Sequence, residues 1–224
     1  MTRAIIDAIT GARAVRIPDR DRLVDLDRID AVVVVGATCV GKTTLVDEIR
    51  ASELCARGAV DVPLRYVTRM PRGGDNLVEN VHVTAEEFAA RVAAGEIDLH
   101  WIRRMEGGRE VRYGFARPRP GALPVLSANN AILAPGAGLL PARRLDHALW
   151  VGVAAPPELR AQRLRRRSPD LWARPDEVAH RLAEPAIDAH VHLVIDNHGE
   201  LEPVAKAEIV TLVRALVGLR RRGS

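Results

Sequence analysis

The sequence predicts a mixed α/β fold, a doubly wound parallel sheet carrying an insertion, and three observations predict it. The run "AVVVV", Ala31 to Val35, is continuously apolar and mostly β-branched, as expected of a strand buried on both faces. A glycine-bracketed loop and an amphipathic stretch follow at once, so strand, turn and helix come in the order of a parallel-sheet unit. Strand-like and helix-like segments then alternate to the end of the chain, with an interruption at about 69–116.

The elements can be justified in order. Residues 1–30 alternate charges and aliphatics and are expected to form an N-terminal extension, a helix or a strand pair, ahead of a main domain over 31–224. Thr43 to Glu53 has helical periodicity, with Leu45, Val46 and Ile49 facing inward. "VPLRYV" at 62–67 reads as a second strand, and the glycine- and proline-punctuated loop "TRMPRGGDN" follows it. In "TAEEFAARVAAG", Thr84 and Glu87 form a capping box and Gly95 closes the helix. "IDLHWIRR" and "REVRYGF" flank "MEGG" and predict a hairpin. After a proline-rich bend at 118–124, "PVLSA" and "HALWVGV" read as core strands. Arginine-bearing helices are expected over 157–167 and 176–184, then the strand "VHLVI" and a closing amphipathic helix over 201–219.

Composition narrows the function. No apolar run is long enough to cross a bilayer, and the first twenty residues lack a signal-peptide core, so a soluble cytoplasmic protein is expected. Cys39 and Cys55 cannot make a disulfide framework and are expected to be reduced. The net charge is only +4, yet arginine greatly outnumbers lysine, and arginine pairs bidentately with phosphate oxygens. With only 3% aromatic residues there is little to stack on bases, so the balance suits an anionic small molecule and argues against nucleic acid. His180, His190, His192 and His198 lack metal-ligand spacing, and Trp101, Trp150 and Trp172 read as packing residues.

The chemistry begins at the loop after the first core strand. Gly36, Gly41, Lys42 and Thr43 satisfy the phosphate-loop spacing, directly after a strand and before a helix. The fold class is therefore that of a P-loop NTPase. Residues Gly36, Ala37, Thr38, Cys39, Val40, Gly41, Lys42, Thr43 and Thr44 are expected to wrap the phosphates of ATP. Lys42 would reach the β- and γ-phosphates and Thr43 would ligate Mg²⁺. Downstream, "RYVTRMPRGG" supplies Arg65, Arg69 and Arg72, spaced to converge on a second anion. Taken alone this is as readily a solvated basic loop; the phosphate loop upstream favours a recipient site.

The segments "GATCVGKTTL", "VTRMPRGGD", "TAEEFAARVAAGEIDLHW", "RYGF", "PPELRAQRLRRRS", "DEVAHRLAEP" and "LVIDNHG" together resemble the guanylate kinase family over about 31–200. The resemblance implies a core sheet, an acceptor-binding subdomain at about 69–116 and an arginine-bearing lid at about 160–181. It assigns Arg69, Arg72 and Tyr113 to an acceptor phosphate. Arg163, Arg167 and Arg181 would close over the triphosphate as catalytic residues with Lys42, and Asn197 would lie beside the adenine.

The family's guanine readers are replaced: a glutamate by His100, a serine by Phe115, and a tyrosine is absent near Val81 and His82. GMP is thus a poor acceptor. One branch, the ribose 1,5-bisphosphate phosphokinases, is similar in "RYVTR", "EN", "HW", "YGF" and "PPELRAQRL". That likeness implies an acceptor cleft of Arg65, Arg69, Arg72, Glu79, Asn80, His100, Tyr113 and Asn129, the last lying where the family carries an acidic pair. A cleft with arginines and no evident base favours a phosphate acceptor, which is already anionic, over a hydroxyl. The expected reaction moves the γ-phosphoryl group of ATP to ribose 1,5-bisphosphate, giving phosphoribosyl pyrophosphate. The alternatives are a nucleoside monophosphate kinase and a non-catalytic binding module; such modules tend to lose the lysine kept here as Lys42.

Overall fold

The computed structural model describes residues 12–18, 26–71, 77–104, 108–133, 140–141, 145, 147–183, 187 and 190–223. Its strands are β1 (Val15–Arg16), β2 (Ala31–Val35), β3 (Val60–Asp61), β4 (Arg65–Val67), β5 (Asn80–His82), β6 (Ile97–Arg104), β7 (Glu110–Ala116), β8 (Leu123–Ser127), β9 (Leu140–Pro141), β10 (Ala148–Ala154) and β11 (Leu193–Asp196). Its helices are α1 (Lys42–Ala51), α2 (Glu53–Ala56), α3 (Ala85–Ala93), α4 (Pro157–Arg167), α5 (Pro175–Leu182) and α6 (Leu201–Gly223).

The core sheet runs β1-β11-β10-β2-β8-β3, parallel throughout except for β1 at one edge. Of the parallel strands the chain reaches β2 first and later adds others on both sides of it, so the winding direction reverses at β2. In open α/β sheets that reversal places a crevice at the carboxyl ends of the strands. The loop after β2 opens into it.

Residues of β2 alternate between two cores. Val32 and Val34 pack with Leu45, Val46 and Ile49 of α1 and with Ile209, Leu212 and Leu216 of α6. Ala31, Val33 and Val35 pack with Val67, Trp101, Tyr113 and Phe115, which belong to a second sheet. All five β2 residues are fully enclosed, which explains why that run carries no polar side chain. The second sheet runs β5-β4-β7-β6-β9, and it covers the face of the core sheet opposite α1 and α6.

Two expectations need amending. The run "VPLRYV" does not enter the core sheet: Pro63, without an N–H, divides it, and only Arg65–Val67 pair, with β5 and β7 of the second sheet. The core strand there is β3, one step earlier. The described part of residues 1–30 is also woven into the core. Val15 and Arg16 pair antiparallel with Ile195 and Val194, and Ala14, Leu26 and Ile29 are buried in the larger core.

Helix α3 begins as its sequence requires. Thr84 Oγ1 accepts from the Glu87 amide at 3.1 Å and Glu87 Oε2 accepts from the Thr84 amide at 2.8 Å. Among the described residues no helix is long and apolar enough to cross a membrane.

Candidate functional site

The loop between β2 and α1 is shaped by close approach. A Cβ on Gly36 would stand 2.6 Å from the Val153 carbonyl oxygen, and one on Gly41 would run into the Asn197 side-chain amide. Gly41 also adopts φ +94°, a left-handed conformation that favours glycine. Cys39 holds φ 64° without that freedom. Ala37 and Val40 are buried, Thr38 and Cys39 half-buried, and Thr44 is exposed in the first turn of α1. Lys42 starts that helix and folds back over the loop, its Nζ donating to the carbonyls of Gly36 at 2.5 Å and Ala37 at 2.9 Å.

An arginine of α4 grips the loop from outside. Arg163 donates to the carbonyls of Val40 at 3.1 Å, Cys39 at 3.4 Å and Asn197 at 3.3 Å, and to Glu202 at 3.2 Å. The resemblance places Arg163 over a triphosphate; in this structure its donors reach main-chain carbonyls at the loop's rim and the Glu202 carboxylate. Arg181 pairs with Glu177 of its own helix at 2.6 Å, and Arg167 is exposed at the last turn of α4. Neither of these two contacts the loop in the bonds just described. Arg160, which the sequence reading left out of the site, is buried and donates to the carbonyls of Thr38 and Arg181, both at 3.1 Å. Its signal was its spacing: Arg160 and the fully buried Leu164 are four residues apart and share one helix face.

Asn197 follows β11 and is 1% exposed. Its Nδ2 donates to the Val40 carbonyl at 2.8 Å, and its Oδ1 is buried with no hydrogen-bond partner among the described residues.

On the other side of the loop, Arg65 bridges the two sheets. Its Nε donates to Asn80 Oδ1 at 2.9 Å, its Nη1 to the Ser127 carbonyl at 2.6 Å, and its Nη2 lies 3.4 Å from Glu79 Oε1. Those bonds make Arg65 a clamp between β4, β5 and β8, so its guanidinium is committed to protein partners. Thr43 Oγ1 donates to Glu79 Oε2 at 3.2 Å, which joins the loop hydroxyl to the segment leading into β5 of the second sheet.

Arg69 lies just past β4, and its carbonyl is 2.7 Å from His82 Nδ1. Tyr113 pairs across the strand with Val67 and stacks on Trp101 at 5.4 Å. Asn129 follows β8, whose Ser127 pairs in register with Val34 next to the loop. Arg72 lies outside the described residues.

His100 is set apart from this group. Strand alternation puts Trp101 and Tyr113 on the face toward the core sheet. His100 shares the other face with Gly114 and meets Phe88 of α3 edge-on at 6.0 Å. Burial there, together with the nearby Arg112 charge, holds its pKa below the ordinary value. Phe115, at the position where a base-reading serine was expected, is 2% exposed and packed on Trp101 at 5.3 Å.

Among the described residues there is no group of three or more metal-ligating side chains. Thr43 with the Glu79 carboxylate nevertheless fits a Mg²⁺ ion that takes its other ligands from phosphates and water. His192 has a structural position, its Nδ1 accepting from the Trp150 amide at 3.0 Å.

No protein-family model matches the sequence. The ribose 1,5-bisphosphate phosphokinase PhnN of Rhodopseudomonas palustris is 29% identical over 190 residues, 77% of this chain and 90% of that protein. The chain is similar to the solved guanylate kinase from Anaplasma phagocytophilum, 18% identical with a TM-score of 0.48 over 84% of this chain and 86% of that one. It is also similar to a gluconokinase from Sinorhizobium meliloti 1021, 15% identical with a TM-score of 0.40 over 85% and 95% of the two chains. The chain shares with these proteins a mixed α/β core in which a glycine-bracketed loop with phosphate-loop spacing follows β2. The loop, Asn197 and α4 form one side of the crevice, and the second sheet supplies the facing side.

Proposed function

We propose that this chain transfers the γ-phosphoryl group of ATP to a phosphate of a small phosphorylated sugar, with ribose 1,5-bisphosphate as acceptor and phosphoribosyl pyrophosphate as product. The observation that carries the kinase reading is Lys42 and Thr43 at the head of α1, on a loop set in the crevice where the sheet reverses direction. The acceptor is the one named for the 29% identical relative.

When bound, Mg²⁺ would neutralise charge on the β- and γ-phosphates. Thr43 would hold it, and Lys42 would leave its loop carbonyls for the phosphate oxygens. Asn197 Oδ1, a buried acceptor, suits a ligand amine rather than a carbonyl, which favours adenine over guanine in the donor site. Arg69 and Arg72 would hold the acceptor's phosphate beside Tyr113. Phe115, sealed in the inter-sheet core, has no polar atom for a base and no room to reach one, which speaks against GMP.

The test is a coupled ADP-release screen of the purified chain over ribose 1,5-bisphosphate, ribose 5-phosphate, GMP and AMP. Phosphorus NMR of the product would identify a new phosphoanhydride. The reading expects the highest kcat/KM for ribose 1,5-bisphosphate. Faster turnover of GMP, or ADP release that ignores every acceptor, would overturn it.

A further inference from the structure

Glu79 is 3% exposed, the most enclosed charged side chain among the described residues. It lies just before β5, and its carboxylate reaches across from the second sheet to the phosphate loop. Oε2 accepts from Thr43 Oγ1 at 3.2 Å, and Oε1 lies 3.4 Å from Arg65 Nη2. Arg65 is itself anchored on Asn80 and the Ser127 carbonyl, so the carboxylate is held from behind by a fixed cation. Asp47 stands one turn after Thr43 on α1. Burial raises its pKa, Arg50 opposes that, and the Glu79 charge adds to the rise.

The strand that ends beside the loop offers no negative charge of its own. β8 closes on Ser127, followed by Asn129 and Asn130. A carboxylate at this place is also poorly suited to an anionic acceptor, since like charges oppose one another at close range. A divalent cation is the ligand it suits.

We propose that Glu79 is the carboxylate that positions Thr43 as a Mg²⁺ ligand and receives hydrogen bonds from the ion's water shell. A threonine hydroxyl coordinates through an oxygen lone pair and keeps its proton. By accepting a hydrogen bond from that O–H, Glu79 turns the lone pair away from itself, toward the space where nucleotide phosphates would bind. Its negative charge then favours the metal-bound nucleotide over the bare one. Arg65 holds the carboxylate in place from behind, and this is the function we assign to that arginine instead of contact with the acceptor. Glu79 acts through Thr43 and water, so it is a positioning residue. The proposal rests on the kinase reading above.

The experiment is calorimetric titration of the full chain with AMPPNP, a non-hydrolysable ATP analogue, with Mg²⁺ and with EDTA. In the wild type, Mg²⁺ should tighten binding. In Glu79→Gln that enhancement should fall about tenfold, a usual loss when a group orienting a metal ligand is changed. Affinity in EDTA should stay unchanged. Circular dichroism melting checks that the variant is folded. Should it not fold, Glu79→Asp, which keeps the charge and retracts it by one methylene, carries the test: a reduced enhancement supports the proposal and an unchanged one overturns it. Equal enhancement in wild type and folded Glu79→Gln also overturns it. A wild type that binds AMPPNP with no gain from Mg²⁺ overturns this proposal alone, whereas a wild type that does not bind AMPPNP overturns the kinase reading as well.

Discussion

Lys42 shows how much of a phosphate site one residue carries. Its Nζ rests on the Gly36 and Ala37 carbonyls, bonds that hold the loop's curl in the free protein and that phosphate oxygens would replace. Lys42→Ala should therefore lower kcat by about a hundredfold or more, the usual loss for a preorganised charge donor. The melting temperature should barely move, because the side chain is only half-buried. Undiminished turnover would remove Lys42 from the mechanism. Gly41→Ala should act differently: the added methyl has no space beside Asn197, and φ +94° strains any side chain. That variant should lose AMPPNP binding in titration while retaining its fold by circular dichroism. The phosphate loop was legible in the sequence because its chemistry is local, a fixed spacing between a strand and a helix. Arg65, Arg160 and Arg163 were not legible in the same way. An arginine run shows where cations are, but only the fold shows that these three guanidiniums are taken up by carbonyls of Ser127, Thr38 and Val40.

At the scale of elements, α3 and the strand behind it behave as separable units. The Thr84–Glu87 box satisfies two amides at the start of α3, far from the loop in sequence. Thr84→Ala should cost about 1 kcal/mol, or roughly 2–4 °C in a chain of this size, without changing kcat. Differential scanning calorimetry with a parallel activity assay would check both halves. His100 on β6 makes a pH-dependent contribution. Its pKa in the folded state lies below the ordinary 6.5, first because it is buried and then because of Arg112. The unfolded chain therefore binds the proton more readily, and stability falls as the pH drops through and below about 6.5. In His100→Phe, melting temperatures recorded between pH 7.5 and 5 should fall less steeply than in the wild type. Parallel slopes would remove His100 as a source of acid sensitivity. The capping box and the hairpin could be read from short-range pattern, since both are set by residues a few positions apart. The side of the sheet that His100 faces could not. It depends on the pairing of His100 with Gly114 and on where α3 packs, which no local spacing encodes.

At the scale of the molecule, the two cores share a wall one strand thick. Val32 and Val34 seal the side under α1 and α6, while Ala31, Val33 and Val35 seal the side under the second sheet. The continuous apolar run announced a strand buried twice, but not that a second sheet, rather than helices, would cover one face. That cover is assembled from β4 to β7 and the distant β9, contacts too far apart in sequence to leave a periodic mark. The shared wall has a thermodynamic consequence. Loss of the second sheet would expose Val33 and Val35 and strip one face of the strand that the other core needs, so neither core should melt alone. Trp101, fully buried between the sheets, reports on one core, whereas far-UV circular dichroism reports largely on the helices of the other. Trp172 packs against a separate cluster of Leu164, Leu171 and Val178, so it is best replaced by phenylalanine before fluorescence is read. In that background, urea transitions by fluorescence and by circular dichroism should coincide. Val33→Ala and Val34→Ala, one pointing into each core, should each destabilise by roughly 2 kcal/mol and shift both probes together. A fluorescence transition that precedes the helical one, or a Val33→Ala that moves fluorescence alone, would mean that the sheets unfold independently and that the second sheet is a domain only docked on the core sheet.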